Sequence, residues 1–314
     1  MSQPLVFSIP LPRDEVDHFS IDASKVPPKV LQIKMHQALD DSINDAAYEE
    51  SENTHDTGFV PWPSSVMLAK YLTHHASVLH DCPGNILELG AGYGLVGLTA
   101  ARLLQQRQNE VNGGTKKVDD VAIDINSQSK VIMTDYNPLA RDNLERNARL
   151  NDVDQFTSVT GLDFFYQVPT EDDMKLDEGS DLDSSPTWMD MEGHRQPQVS
   201  LILAADIIAY SNDGEMVANT LDVALAQGGQ ALILGPEEGH RFGLEGFADS
   251  CRRFGLEVVE ETTISAFGNR NEQQGQCDQL ARDIQQMGGY KVENPYNFTM
   301  FIVTKPCKTQ WEDT

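Results

Sequence analysis

Apolar residues fall into two rhythms along this chain. Short runs at 85–89 (NILEL), 130–135 (KVIMTD), 156–160, 199–205 (VSLILAA) and 230–234 (QALIL) have the length of strands buried in a sheet. Between them, apolar positions return at helical spacing from Leu95 to about Gln105, across 215–227 and across 244–254. Asn137 followed by Pro138 offers a capping side chain and a proline at the first helical position, which predicts another helix. Its Ala140, Leu144 and Ala148 step by four along one face, and Asn151 stands where a left-handed cap would end it. Two more strands, at 256–264 and 298–304 (FTMFIVT), close the pattern. Seven strands with interleaved helices predict an α/β fold, a mostly parallel sheet with helices on both faces.

Three stretches break the rhythm and are expected as insertions: 107–129, 170–197, and 266–297 with a short helical piece around 280–287. A hydrophobic content of 39% and a charged content of 23% are those of a soluble globular protein. No run of 18 apolar residues is present, so no membrane span is expected, and residues 1–10 lack the basic start of a secretory signal. Cys82, Cys251, Cys277 and Cys307 lie far apart with no CxxC pair. That spacing argues against zinc and disulfides, expects no metal site, and fits a cytoplasmic protein, with the nucleus also open.

Charge narrows the partners. The 314 residues carry 23 Lys and Arg against 49 Asp and Glu, a net charge of −26. Such a chain repels phosphate backbones, so nucleic acid is not an expected partner, whereas basic proteins and cationic small molecules are attracted. Residues 1–56 hold 11 acids and 4 bases, and 170–192 hold 9 acids and 1 base, together more than half of the net charge. Both read as solvated acidic segments. The second leaves the sheet beside the strand ends where chemistry is expected.

The candidate chemistry starts where the strand Ile86-Leu87-Glu88-Leu89 runs into Gly90-Ala91-Gly92-Tyr93-Gly94. Glycines permit positive φ and bare backbone, and the following helix offers its N-terminal amides to a ligand. Residues 92–97 also match the dinucleotide fingerprint GxGxxG, with Asp119, Asp120 and Asp124 near the expected distance of about 20 residues. In that reading, however, the strand end would meet the fingerprint two residues late, and Glu88 would face a pyrophosphate. With Gly90 first, the pattern is E-x-G-x-G-x-G, and Glu88 suits a cofactor with an ammonium and a sulfonium, S-adenosylmethionine. Asp135 at the second strand end can accept ribose hydroxyls, or else cap the helix after it. Asp163 with Phe164 and Phe165 at the third can take the adenine amino group and cover its ring. Three strand ends in register form the kind of site that open α/β sheets use.

Thr57-Gly58-Phe59-Val60-Pro61-Trp62-Pro63-Ser64-Ser65, a helix with Leu68, Ala69, Tyr71 and Leu72, the glycine turn, Asp135-Tyr136-Asn137-Pro138 and Ala204-Ala205-Asp206-Ile207-Ile208-Ala209-Tyr210 follow in order. This order resembles the seven-β-strand protein methyltransferases called methyltransferase family 16, over roughly residues 57–305. The resemblance implies a Rossmann-like class I methyltransferase sheet with an antiparallel last strand. It implies a cofactor pocket of Trp62, Glu88, Gly90, Ala91, Gly92, Gly94, Asp135, Tyr136, Asp163, Phe164 and Ala205. Without it, Trp62 reads as a staple at the entry of a helix capped by Ser64 or Ser65. Asp206 and Tyr210 correspond to the family's DxxY motif, which holds the substrate nitrogen. Here the spacing is D-x-x-x-Y, which displaces Tyr210, and Phe164 stands where many members have Trp. Residues 1–56 are expected as an acidic extension packed on or beside the core, and 306–314 as a tail. The implied function is N-methylation of lysine in a basic protein, by a monomer. A small amine or pyridine acceptor, and a binding module that kept the pocket without catalysis, are the alternatives.

Overall fold

The computed structural model describes residues 4–10, 30–35, 62–113, 129–166, 187–236, 243–262 and 298–307. The chain opens with an antiparallel hairpin, β1 (Leu5–Pro10) and β2 (Val30–Met35), followed by helices α1 (Pro63–His74) and α2 (Ser77–His80). Then come β3 (Ile86–Leu89), α3 (Leu95–Gly113), β4 (Val131–Thr134), α4 (Pro138–Leu150) and β5 (Thr157–Thr160). A second hairpin, β6 (Thr187–Met189) and β7 (Arg195–Pro197), precedes β8 (Val199–Ala205), α5 (Asp213–Ala224) and β9 (Leu225–Pro236). The last elements are α6 (Phe247–Arg253), β10 (Glu257–Thr262) and β11 (Phe298–Thr304).

Seven strands form one sheet in the order β5-β4-β3-β8-β9-β11-β10. The first five are parallel, and β11 runs antiparallel to both of its neighbours, as the resemblance implied. Strand order reverses between β3 and β8, the topological switch at which such sheets open a crevice at their carboxyl ends. The period-two alternation of side chains explains the layers. Ile86, Met133, Leu201 and Leu203 join the core under α1, α3 and the β1–β2 hairpin. Leu87, Ile132, Ile202 and Ala204 join the core under α5 and α6. Counting by twos from Ile86 places Glu88 on the α3 face, a carboxylate where the pattern calls for an apolar residue.

Several boundaries differ from the sequence expectation. The helix expected to stop near Gln105 runs on to Gly113, so the first insertion begins inside it. The helix expected at 215–227 ends at Ala224, and Leu225 already starts β9. The first helix is capped at Trp62 with Pro63 at its first position, and Ser65 Oγ donates back to the Trp62 carbonyl at 2.7 Å instead of capping. Asn151 is not in the left-handed region, with φ −100°; Asp152 is, with φ 52°. Asn151 instead accepts from Lys34 N at 2.8 Å and donates to Lys34 O at 2.6 Å, pinning β2 to the end of α4.

The N-terminal hairpin shows as alternating burial: Phe7, Ile9, Leu31, Ile33 and Met35 enter the core under α3. The far end of the 170–197 insertion is a hairpin and not a loop. Trp188 is fully buried there and donates through Nε1 to Pro197 O at 2.9 Å. Residues 167–186, the bulk of the acidic stretch, lie outside the described residues, as do 114–128 and 263–297 with the helical piece expected near 280–287. No described helix is long and apolar enough to cross a membrane.

Candidate functional site

Leaving β3, the backbone turns through left-handed values at Gly90 (φ 60°), Gly92 (φ 50°) and Gly94 (φ 83°) before α3 begins. Two of these positions lack room for a side chain. A Cβ on Gly90 would lie 2.7 Å from Ile207 Cγ2, and one on Gly94 would lie 2.5 Å from Leu144 Cδ2. The turn is tied to its neighbour strand by Ala91 N donating to Thr134 O at 2.8 Å. Asp135 reinforces this: its Oδ2 accepts from Gly92 N at 2.9 Å and its Oδ1 from Asn137 N at 2.9 Å. Asn137 itself caps α4, accepting from Leu139 N at 2.9 Å, so the cap expected as an alternative role for Asp135 belongs to Asn137.

Around this turn lies a crevice of about 500 Å³ at the carboxyl ends of β3, β4, β5 and β8, within the range of small-molecule sites. Five carboxylates line it: Glu88, Asp135, Asp163, Asp206 and Asp213. Among the described residues, no Lys, Arg or His lines it. Glu88 is the most perturbed. Only 3% exposed, it has its Oε2 buried without a hydrogen-bond partner, close to Gly97 in the first turn of α3. Burial, partly offset by the nearby Gly97 backbone amide, pushes its pKa up to about 8. Asp163 Oδ1 accepts from Phe165 N at 2.9 Å and so fixes the short helical turn Phe164–Tyr166. Asp206 has φ 59°, a left-handed conformation that costs a non-glycine residue energy and clusters at functional sites. Its amide is held by Leu234 O at 2.9 Å.

The sequence model of the lysine methyltransferase family matches residues 44–182. The match covers a little under half of the chain and makes that stretch similar to lysine methyltransferases. The protein-lysine N-methyltransferase EFM2 of Saccharomyces cerevisiae is 26% identical over 194 residues, which are 58% of this chain and 38% of the yeast protein. The chain therefore spans well under half of that relative. Among solved structures, a TehB-like SAM-dependent methyltransferase from Corynebacterium glutamicum aligns at 14% identity and a TM-score of 0.41, covering 85% of this chain and all of that one. An O-methyltransferase family protein from Burkholderia thailandensis aligns at 12% identity and a TM-score of 0.44, covering 86% and 60%.

The segments that carry the resemblance converge on the crevice. Trp62, Glu88, Gly90, Ala91, Gly92, Asp135, Tyr136, Asp163, Phe164, Ala205, Asp206 and Tyr210 all line it. Gly94 does not; it packs against Leu144 and shapes the turn from behind. Tyr210 is 74% exposed at the rim, its backbone N–H and that of Ala209 both donating to Asp213 Oδ2 at 2.8 Å. The family segment 57–61 and the acids Asp119, Asp120 and Asp124 lie outside the described residues. Sequence reading missed Ser65 and Asp213, while Phe165 lines the crevice as expected. Asp213 carried a signal: an acid in the first turn of a helix after a polar residue commonly ties down the approaching loop.

Proposed function

We propose that this protein transfers a methyl group from S-adenosylmethionine to the side-chain amine of lysine in a basic protein. The charge of the crevice carries the reading. Five carboxylates, with no basic residue among the described residues of the lining, suit cationic ligands and oppose a pyrophosphate or an anionic acceptor. The unpartnered Glu88 oxygen fits an ammonium donor, and the glycine turn with the α3 amides fits the cofactor's carboxylate. Asp135, whose oxygens accept the Gly92 and Asn137 N–H groups at the end of β4, suits the ribose hydroxyls. Asp163 and Phe164 suit the adenine, with Trp62 and Ala205 as walls. When bound, the cofactor supplies a methyl group made electrophilic by its sulfonium.

What remains is to present an amine lone pair to that methyl. A lysine has an ordinary pKa of about 10.4 and arrives charged. Asp206, displaced from extended backbone by its positive φ and lining the same crevice, orients the ammonium. The proton leaves to water through the mouth where Tyr210 is exposed. An open rim of this kind favours a chain segment over a small enclosed amine as acceptor. A net charge of −26 adds long-range attraction for a basic protein. The yeast relative, named for protein-lysine methylation, supports the same acceptor.

Isothermal titration tests the cofactor half. S-adenosylmethionine and its demethylated product are expected to bind in the micromolar range at pH 7.5, and NAD to give no heat above dilution. Binding of NAD with silence toward both sulfur ligands would refute it.

A further inference from the structure

Arg141 stands where helix physics disfavours it. It is the fourth residue of α4, close to the positive end of the helix dipole, where a cation is normally unfavourable. Its surroundings explain the choice. Nη1 donates to Asp135 O at 3.1 Å and to Tyr136 O at 3.0 Å, the carbonyls that lead out of β4 into the crevice. The same nitrogen lies 3.8 Å from Met191 Sδ, and Nη2 lies 3.6 Å from Glu192 Oε1, both in the turn between β6 and β7. That turn is itself fastened to the end of β5 by Met191 N donating to Gly161 O at 3.0 Å. Gly161 leaves close room for the junction. A Cβ there would sit 2.9 Å from Arg141 Nη1 and 3.0 Å from Met191 Cβ. One guanidinium thus joins the ends of β4 and β5 to the hairpin that closes the acidic insertion.

We propose that Arg141 is a positioning residue for the cofactor, setting Asp135 for the ribose hydroxyls from behind, with the β6–β7 turn as its brace. The inference rests on the cofactor reading above. Arg141 is not among the residues lining the crevice, so it acts through the Asp135 backbone and not by contact with ligand. The Asp135 carboxylate is anchored by Gly92 N and Asn137 N at 2.9 Å, and the peptide carbonyl that Arg141 holds sets how that carboxylate is aimed at the ribose. The planar fork of arginine spreads its donors, Nη1 serving two carbonyls while Nη2 faces a carboxylate, a geometry that lysine's single nitrogen does not reproduce. Glu192 contributes less, because a partly exposed pair at 3.6 Å is weak; it orients the fork.

The test compares two ligands by titration calorimetry on the full chain: the demethylated product of the cofactor and its 2′-deoxy form. Wild type is expected to prefer the hydroxylated ligand. Arg141→Ala should bind that ligand about tenfold more weakly and the 2′-deoxy form within about threefold of wild type, as a lost charge-assisted bond acting only on the ribose requires. Arg141→Lys should fall between the two, and Glu192→Ala should weaken wild type slightly but add nothing to Arg141→Ala. Equal loss for both ligands, or no loss, with unchanged thermal melting would overturn the inference. Arg141→Lys supplies the same comparison should the alanine variant fold poorly, and equal effects on both ligands would overturn it there too. Failure of wild type to bind either ligand would instead refute the cofactor reading.

Discussion

Between about pH 4.5 and 8 the ligand-free protein is expected to lose about 5 kcal/mol of stability through Glu88 alone, and Glu88→Gln is expected to abolish that loss. In the folded state the group titrates near 8, well above its ordinary 4.5, because burial disfavours the charge. Across the window between those values the folded protein holds a proton that the unfolded chain has released, so stability falls as pH rises and levels off above 8. At about 1.4 kcal/mol per pKa unit the total follows. Chemical denaturation of wild type and Glu88→Gln at pH 5, 6.5 and 8.5 measures the difference directly. The two should agree near pH 5 and diverge steadily, the variant being the more stable at pH 8.5. The same carboxylate is expected to reward a cationic ligand. Cofactor binding at pH 7 should release close to one proton in wild type, and affinity should climb from pH 6 to 7.5. Glu88→Gln should bind more weakly with little pH dependence over that range. Parallel stability profiles for the two proteins would show that Glu88 is not the buried, protonated group inferred from its surroundings.

Asp206→Asn is expected to lower kcat by about a hundredfold or more while cofactor affinity stays within about threefold. Losing the group that orients an amine misplaces the attacking atom, and errors of this kind cost on the order of 10² in rate. Asparagine is chosen because it tolerates the left-handed backbone seen at this position, so the effect of charge is separated from that of strain. Asp206→Gly makes the converse change, relieving the strain while deleting the carboxylate. It should melt no lower than wild type and still turn over poorly. Wild-type turnover in Asp206→Asn would remove Asp206 from the acceptor side.

The sequence disclosed most of the sheet because the sheet is buried. The 298–304 strand was legible to the residue, since a seven-residue run with five large apolar side chains has the length and composition of a buried strand. The same logic was available in Leu5–Pro10 and Val30–Met35, whose alternating Phe7, Ile9, Leu31 and Ile33 point inward. There the surrounding acids hid a short apolar alternation inside a polar composition. Trp188 was similarly masked by the acidic run before it, although a lone Trp beside two methionines is costly to leave in water. In the site, residues that serve by type and strand position were readable: Glu88, Asp135, Asp163 and Asp206. Residues that serve through long-range geometry were not. Nothing local marks Arg141 as the link between Tyr136 and Met191, which lie 55 positions apart, except a cation at the wrong end of a helix. Asn151 was noticed as a helix terminator, yet its work is to bond Lys34, 117 positions away.

Lysine methylation in a protein acceptor is tested most directly by incubating the purified chain with tritiated methyl donor and a cytosolic lysate, then hydrolysing the labelled protein to amino acids. The expected result is tritium in methylated lysine, present with wild type and absent with Asp206→Asn. Tritium confined to methylated arginine or histidine, or to the small-molecule fraction, would contradict the assignment of the acceptor.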